Sequence, residues 1–251
     1  MPASGATLRI DPHVHSRGSY DGHEPVELIL DQAAAIGLDG VVVTDHDAIE
    51  DSLHAAEWAP EFGLVGIPGV EVSTRVGHLL ALGVDELPPR GKPLDETVAA
   101  VRDLGGVAVV PHPFQRSRHG VRRRHLTDCD GIEVYNSMLF TGYRNRRADA
   151  FASRWGYPRL GGSDAHAIQY VGRTYTEIRL PDVEPATPPS AVDGARVVEA
   201  IREGDTDLRG RRTPIPRSAR QYARGAARKT AFTVTSALPI VSSWPVSMRN
   251  S

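Results

Sequence analysis

Short apolar, β-branched runs alternate with segments of helical period along most of this chain. Strands are predicted at residues 8–10, 40–44, 64–67, 78–83, 107–110, 131–134, 159–161 and 174–178. Between several of them, residues 25–36, 49–58, 94–104 and 143–154 repeat their apolar positions with the spacing of amphipathic helices. Pro25 suits a first helical position, and Gly37 stops that helix. Runs such as Val41-Val42-Val43 and Val107-Ala108-Val109-Val110 are apolar at every position. Parallel strands covered on both faces read this way, so the pattern predicts an α/β protein with a parallel sheet, open or closed. Residues 181–189 are proline-rich and predict a connecting loop, and residues 191–203 one further helix ended by Gly204.

Composition narrows the class. Cys129 is the only cysteine, which excludes an intramolecular disulfide and a cysteine-built metal site and fits a reducing cytoplasm. The sequence predicts neither a signal peptide nor a stretch apolar enough for stable membrane insertion. The net charge of −2 hides an asymmetry, because residues 211–251 hold eight Lys or Arg and no acid, leaving −10 on the rest (21 basic, 31 acidic). A body at residues 1–210 with a basic C-terminal arm at 211–251 is therefore expected, the arm packing on the body or on a polyanion.

The chemistry sits at predicted strand ends. In Asp11-Pro12-His13-Val14-His15 the two histidines are at i and i+2, which places them on one side of an extended segment. Thr44-Asp45-His46-Asp47 follows the strand at Val41–Val43, Glu71 follows residues 64–69, and His78 opens the next strand. His112 follows residues 107–110, and Asp164 and His166, again at i and i+2, follow the strand ending at Gly161. A single such residue is more often structural than functional, yet all of them recur at the strand ends where α/β barrels build active sites. With Asp21, the candidate ligands number nine: His13, His15, Asp21, His46, Glu71, His78, His112, Asp164 and His166. This set suits manganese, iron, zinc or magnesium, and nine ligands suffice for two or three ions.

These residues carry a family resemblance. His13-Val14-His15, Tyr20-Asp21-Gly22, Thr44-Asp45-His46-Asp47, Pro68-Gly69-Val70-Glu71, His78, Pro111-His112-Pro113 and Ser163-Asp164-Ala165-His166 run in the order of the PHP (polymerase and histidinol phosphatase) family over about residues 8–180. The resemblance implies a distorted (β/α)7 TIM-like barrel and a trinuclear metal centre. It further implies that His13, His15, Glu71 and Asp164 hold one ion. Glu71 would bridge to a second, completed by His78 and His112, and Asp21, His46 and His166 would hold a third. Some relatives acting on nucleotides carry an inserted domain that has no room here between His78 and His112.

The expected activity is hydrolysis of a phosphate mono- or diester, a nucleotide or short oligonucleotide among the candidates. A metal-bridging hydroxide would serve as nucleophile and no side chain would attack. Arginine pairs bidentately with phosphate, so Arg17, Arg116 and Arg118, the last two in the basic run of residues 115–124, are the expected substrate contacts. Tyr135-Asn136 ends another strand, placed to support the ligands from behind. Two rivals stand beside this reading. A metal-dependent amidohydrolase would want a carboxylated lysine, and Lys92 and Lys229 are not at strand ends. The other is a non-catalytic, metal-bound barrel that binds nucleic acid or a partner.

Overall fold

The computed structural model describes residues 5–115, 119–126, 128–139, 142–217, 219–220 and 223. Among these the order is β1 (Ala6–Val14), α1 (Val26–Ala35), β2 (Gly40–Val43), α2 (Glu50–Trp58), β3 (Gly69–Thr74), β4 (Gly77–Leu82), α3 (Leu94–Asp103), β5 (Val107–Val110), β6 (Gly131–Asn136), α4 (Gly142–Trp155), β7 (Arg159–Gly162), β8 (Thr174–Leu180), α5 (Gly194–Glu203) and β9 (Thr206–Gly210). The fold is mixed α/β with two sheets, one ordered β2-β1-β8-β9 and the other β3-β4-β5-β6-β7. Strand pairs β1–β2, β5–β6 and β6–β7 are parallel, whereas β1–β8, β3–β4, β4–β5 and β8–β9 are antiparallel.

The expected distorted (β/α)7 barrel is borne out as a mixed α/β fold of two sheets, and among the described residues these do not close into a ring. The sheets have separate strand ladders, and among the described residues isolated bridges join their edges, Gly40 to Val65 and His46 to Glu71 on one side and Val14 to Ala165 on the other. Only two residues, Arg75 and Val76, join β3 to β4, and so short a connection makes an antiparallel hairpin. Residues 64–67, expected as a strand, are mostly buried but pair only through Val65, and the third strand starts after Pro68. Glu71 therefore lies within β3 instead of following a strand. The ninth strand, Thr-Asp-Leu-Arg-Gly, escaped prediction because a half-exposed edge strand shows little apolar pattern. Most of the expected basic arm lies outside the described residues.

One core draws on both sheets. Ile10, Val42 and Ile178 from the first sheet meet Leu80, Leu82, Val109 and Leu160 from the second, and α5 covers them with Val197, Val198 and Ile201. Helix α5 owes its ends to Asp193, whose side chain accepts from Ala195 N, and to Gly204 in the left-handed region at φ +80°. Among the described residues no helix is long and apolar enough to cross a membrane. Leu82 is fully buried in this core, so Leu82→Ala is expected to cost ~2–5 kcal/mol in denaturant unfolding. A loss below ~1 kcal/mol would contradict a core shared by the two sheets.

Candidate metal centre

Strand β1 alternates buried and exposed residues through Arg9 and is buried throughout from Ile10 to Val14. It thus delivers His13 and, one residue beyond its end, His15 into the interior. Asp164 N donates to His13 O and His15 N to Ala165 O, both at 2.8 Å, which lays residues 164–166 alongside the two histidines. Glu71 N donates to Asp45 O at 3.2 Å and Asp47 N to Glu71 O at 3.1 Å, setting His46 beside Glu71. The hairpin register sets His78 opposite Ser73, two residues from Glu71. Gly22 closes the loop that carries Asp21: a Cβ there would stand 1.7 Å from Ser16 O.

All nine predicted ligands meet in one cluster. Their donor atoms gather in overlapping groups, each within 4.8 Å: His15, Asp21, His46 and His166; His13, His112 and Asp164; His13, His15 and Glu71; and His46, Glu71 and His78. Glu71 is the hub. Its Oε1 lies 2.8 Å from His78 Nδ1 and 3.2 Å from His112 Nε2. Its Oε2 lies 3.4 Å from His13 Nε2, 3.3 Å from His15 Nε2 and 3.2 Å from His46 Nδ1. Asp164 Oδ1 stands 3.7 and 3.5 Å from the same nitrogens of His13 and His15. Asp21 Oδ2 lies 3.0 Å from His166 Nε2 and 3.6 Å from His46 Nε2.

These residues fit metal ions. His13 Nε2 and His15 Nε2 face each other at 3.2 Å with two carboxylates around them. Donors around one ion with arms of 2.0–2.1 Å stand about 3.3–3.4 Å apart. His13 Nδ1 donates to Glu133 Oε1 at 3.0 Å and His166 Nδ1 to Asp164 O at 2.8 Å, which turns each Nε2 lone pair inward. Metal-bound imidazoles are held this way. Buried Nδ1 atoms of His15, His46 and His112 have no hydrogen-bond partner.

Charge divides unevenly over the cluster. Burial opposes a charge on His13, but Asp164, Glu133 and Glu71 carry its pKa well above the ordinary value. His46 is likewise raised to about 9, burial being outweighed by Glu71 and Asp21. Burial and neighbouring imidazoles push His15 down to about 3, and burial pushes His78 down to about 4. Burial would raise Glu71 and Asp21, yet the surrounding histidines hold both well below the usual carboxylate range. Asp11 and Asp45 are pushed up to about 6 by burial. Three residues in or flanking the cluster, Asp47 (φ 52°), His112 (φ 30°) and Asp164 (φ 54°), occupy the left-handed region that non-glycine residues avoid.

The sequence reading gave no role to Glu133. This buried side chain accepts from His13 Nδ1, from His112 N at 2.8 Å and from Asn136 Nδ2 at 2.9 Å. Its one sequence signal was an acid inside an otherwise apolar strand. Asn136 also donates to Asp164 Oδ2 at 3.1 Å, the support from behind expected of it, while Tyr135 lines a cavity with α4 residues instead. Gly162 permits this packing, since a Cβ there would stand 2.5 Å from Glu133 Oε1 and 2.7 Å from His13 Cβ. Arg17 is exposed on the loop after β1, and Arg116 and Arg118 lie outside the described residues.

The fold and the site define a mixed α/β protein with a buried histidine–carboxylate cluster able to hold metal ions. Comparison with known proteins places it further. A PHP domain matches residues 11–121 and a PHP-associated region residues 142–206. An uncharacterised Methanocaldococcus jannaschii protein is 30% identical over 186 residues, 70% of this chain and 73% of the relative. The phosphoribosyl 1,2-cyclic phosphate 1,2-diphosphodiesterase of Eggerthella lenta is 38% identical over 85 residues, 32% of each chain. A solved two-domain protein of Bacteroides vulgatus, containing a predicted PHP-like metal-dependent phosphoesterase, superposes with a TM-score of 0.64 at 22% identity. That match covers 82% of this chain and 66% of that one and is a likeness of fold. The chain belongs to the PHP family.

Two outcomes are expected of this cluster. Ligands must be unprotonated to bind a cation, and His46 titrates near 9, so metal loading at neutral pH should release protons. Affinity should therefore rise with pH up to about 9. Calorimetry in buffers of different ionisation enthalpy checks this, and a heat independent of buffer would contradict it. Glu133→Gln should weaken metal affinity about 10–100-fold with the fold intact, measured by competition with a chelator.

Proposed function

We propose that this chain is a metal-dependent phosphoric ester hydrolase that cleaves a phosphate mono- or diester. His13, His15, Asp21, His46, Glu71, His78, His112, Asp164 and His166 hold two or three divalent cations, of manganese, iron or zinc, with magnesium a further candidate. The observation that carries this reading is Glu71: each of its oxygens faces a separate set of imidazoles, the arrangement of a carboxylate shared between ions. The substrate is a phosphorylated small molecule or a short nucleic acid.

Cations bound there supply an activated water and offset charge on the phosphate oxygens. The protein's own part is positional. Glu133 fixes the His13 ring and the His112 backbone, and Asn136 braces Asp164. Arg17, exposed two residues beyond His15, is the proposed phosphate contact, with Arg116 and Arg118 as its proposed companions. The two sheets act as an interrupted seven-strand barrel, a reading supported by the bridges at both seams. Residues 1–210 are taken as that unit, with support from β9 ending at Gly210, and the arm expected at 211–251 lies mostly outside the described residues. A cytoplasmic setting belongs to the same proposal and is supported by the lone, buried Cys129.

The test is turnover of a phosphoester panel (nucleoside monophosphates, cyclic dinucleotides, sugar phosphates, short RNA and DNA) with each of the four metals. His112→Ala should lower kcat/KM about 100-fold or more for whichever ester is cleaved. Activity that persists in the variant rejects the site, and no turnover with any loaded metal leaves a binding module.

A further inference from the structure

A cavity of about 300 Å³ lies between α4, β6 and β9, a volume at the lower end for small-molecule pockets. Gly142, Asn145, Arg146 and Asp149 line it at helical spacing, so one face of α4 forms a wall. Val134 from β6 and Leu208 from β9 add apolar surface. Among the described residues, no candidate metal ligand lines this cavity, which sets it apart from the cluster. Asn145 nevertheless connects the two. Its side chain accepts from Asn136 N at 3.2 Å and donates to Asn136 O at 3.1 Å. The Asn136 amide in turn donates to Glu133 Oε2 at 2.9 Å and to Asp164 Oδ2 at 3.1 Å.

The lining carries three guanidinium groups, of Arg146, Arg159 and Arg212, against the one carboxylate of Asp149. That carboxylate is matched by Arg159 at 2.6 Å, and Arg146 has no ion-pair partner among the described residues. A Cβ built on Gly142 would stand 3.6 Å from Arg146 Nη1 and 4.0 Å from Arg212 Nε. Two guanidinium groups thus converge on a residue with no side chain, and the space over it stays open. The backbone keeps Arg212 in place: its carbonyl accepts from Arg173 Nη2 at 3.3 Å, and Thr213 N donates to Ser137 O at 2.8 Å. Cations gathered against apolar walls call for an anion, and a carboxylate offers two oxygens to a guanidinium fork. Val134 and Leu208 give a short hydrocarbon body its contact.

We infer that this cavity is a second ligand site, taking a small organic carboxylate between Arg146 and Arg212, and that its occupant acts on the metal centre through Asn145 and Asn136. The binding itself does not depend on the phosphoesterase reading. The test is calorimetric titration of manganese-loaded protein with benzoate, butanoate and the uncharged benzamide. Both carboxylates should bind about 10-fold tighter than the amide, the order of one charged hydrogen bond. Arg146→Ala should remove that preference and Arg146→Lys keep part of it, whereas the exposed neighbour Arg147→Ala and the cluster variant His112→Ala should retain it. Saturating benzoate should shift manganese affinity about 5-fold in the wild type and not in Arg146→Ala. Equal binding of acid and amide, equal loss in Arg147→Ala, loss in His112→Ala alone, or displacement of benzoate by less inorganic phosphate than butanoate would overturn the carboxylate site. An unshifted manganese affinity would overturn the link to the cluster. Should the protein take up no manganese, the proposed function falls, and the same titrations without metal still decide the cavity.

Discussion

A carboxylate removed from water must be matched by positive charge or by hydrogen bonds, or the fold cannot hold it. Glu71 is that carboxylate. It is 1% exposed, and five imidazole nitrogens stand within 3.4 Å of its two oxygens. The carboxylates drive His13 and His46 up, while burial, with help from neighbouring imidazoles, drives His15 and His78 down. A cation held among them removes that conflict by taking the place of the shared protons.

The framework serves this cluster at some local cost. A tight hairpin carries Glu71 and His78 on adjacent antiparallel strands, an arrangement no helical crossover would give. Left-handed backbone at His112 and Asp164 turns those side chains inward, and the ladder bonds from Asp164 to His13 hold one of these turns. Behind the ligands, Glu133 ties β6 to β1 and to His112, while Asn136 ties β6 to Asp164. Ser137 extends this support outward: its hydroxyl donates to Ser163 O, and its carbonyl accepts from Thr213 N, at 2.8 Å each. The start of the basic C-terminal stretch is thus fastened next to the site.

Polar side chains are sorted by the same rule. Those of the cluster are almost wholly buried and face one another, whereas the lining of a cleft beside His78 holds cations and, among the described residues, no acid.

The sequence by itself determined the residue types and their order. Strand ends bearing His, Asp and Glu were legible because each apolar run stops in a short polar motif, and parallel strands buried on both faces have a distinctive pattern. Seven of the eight predicted strands and all five predicted helices overlap observed elements for that reason, whereas residues 64–67 are not a strand and β3 begins at Gly69. Tertiary structure decided what depends on contacts between distant segments. Strand direction follows from connection length and from which edge is free, so the strands divide into two separately bonded sheets. Glu133 stayed hidden because one acid in an apolar run says nothing of its neighbours until β6 packs against His13.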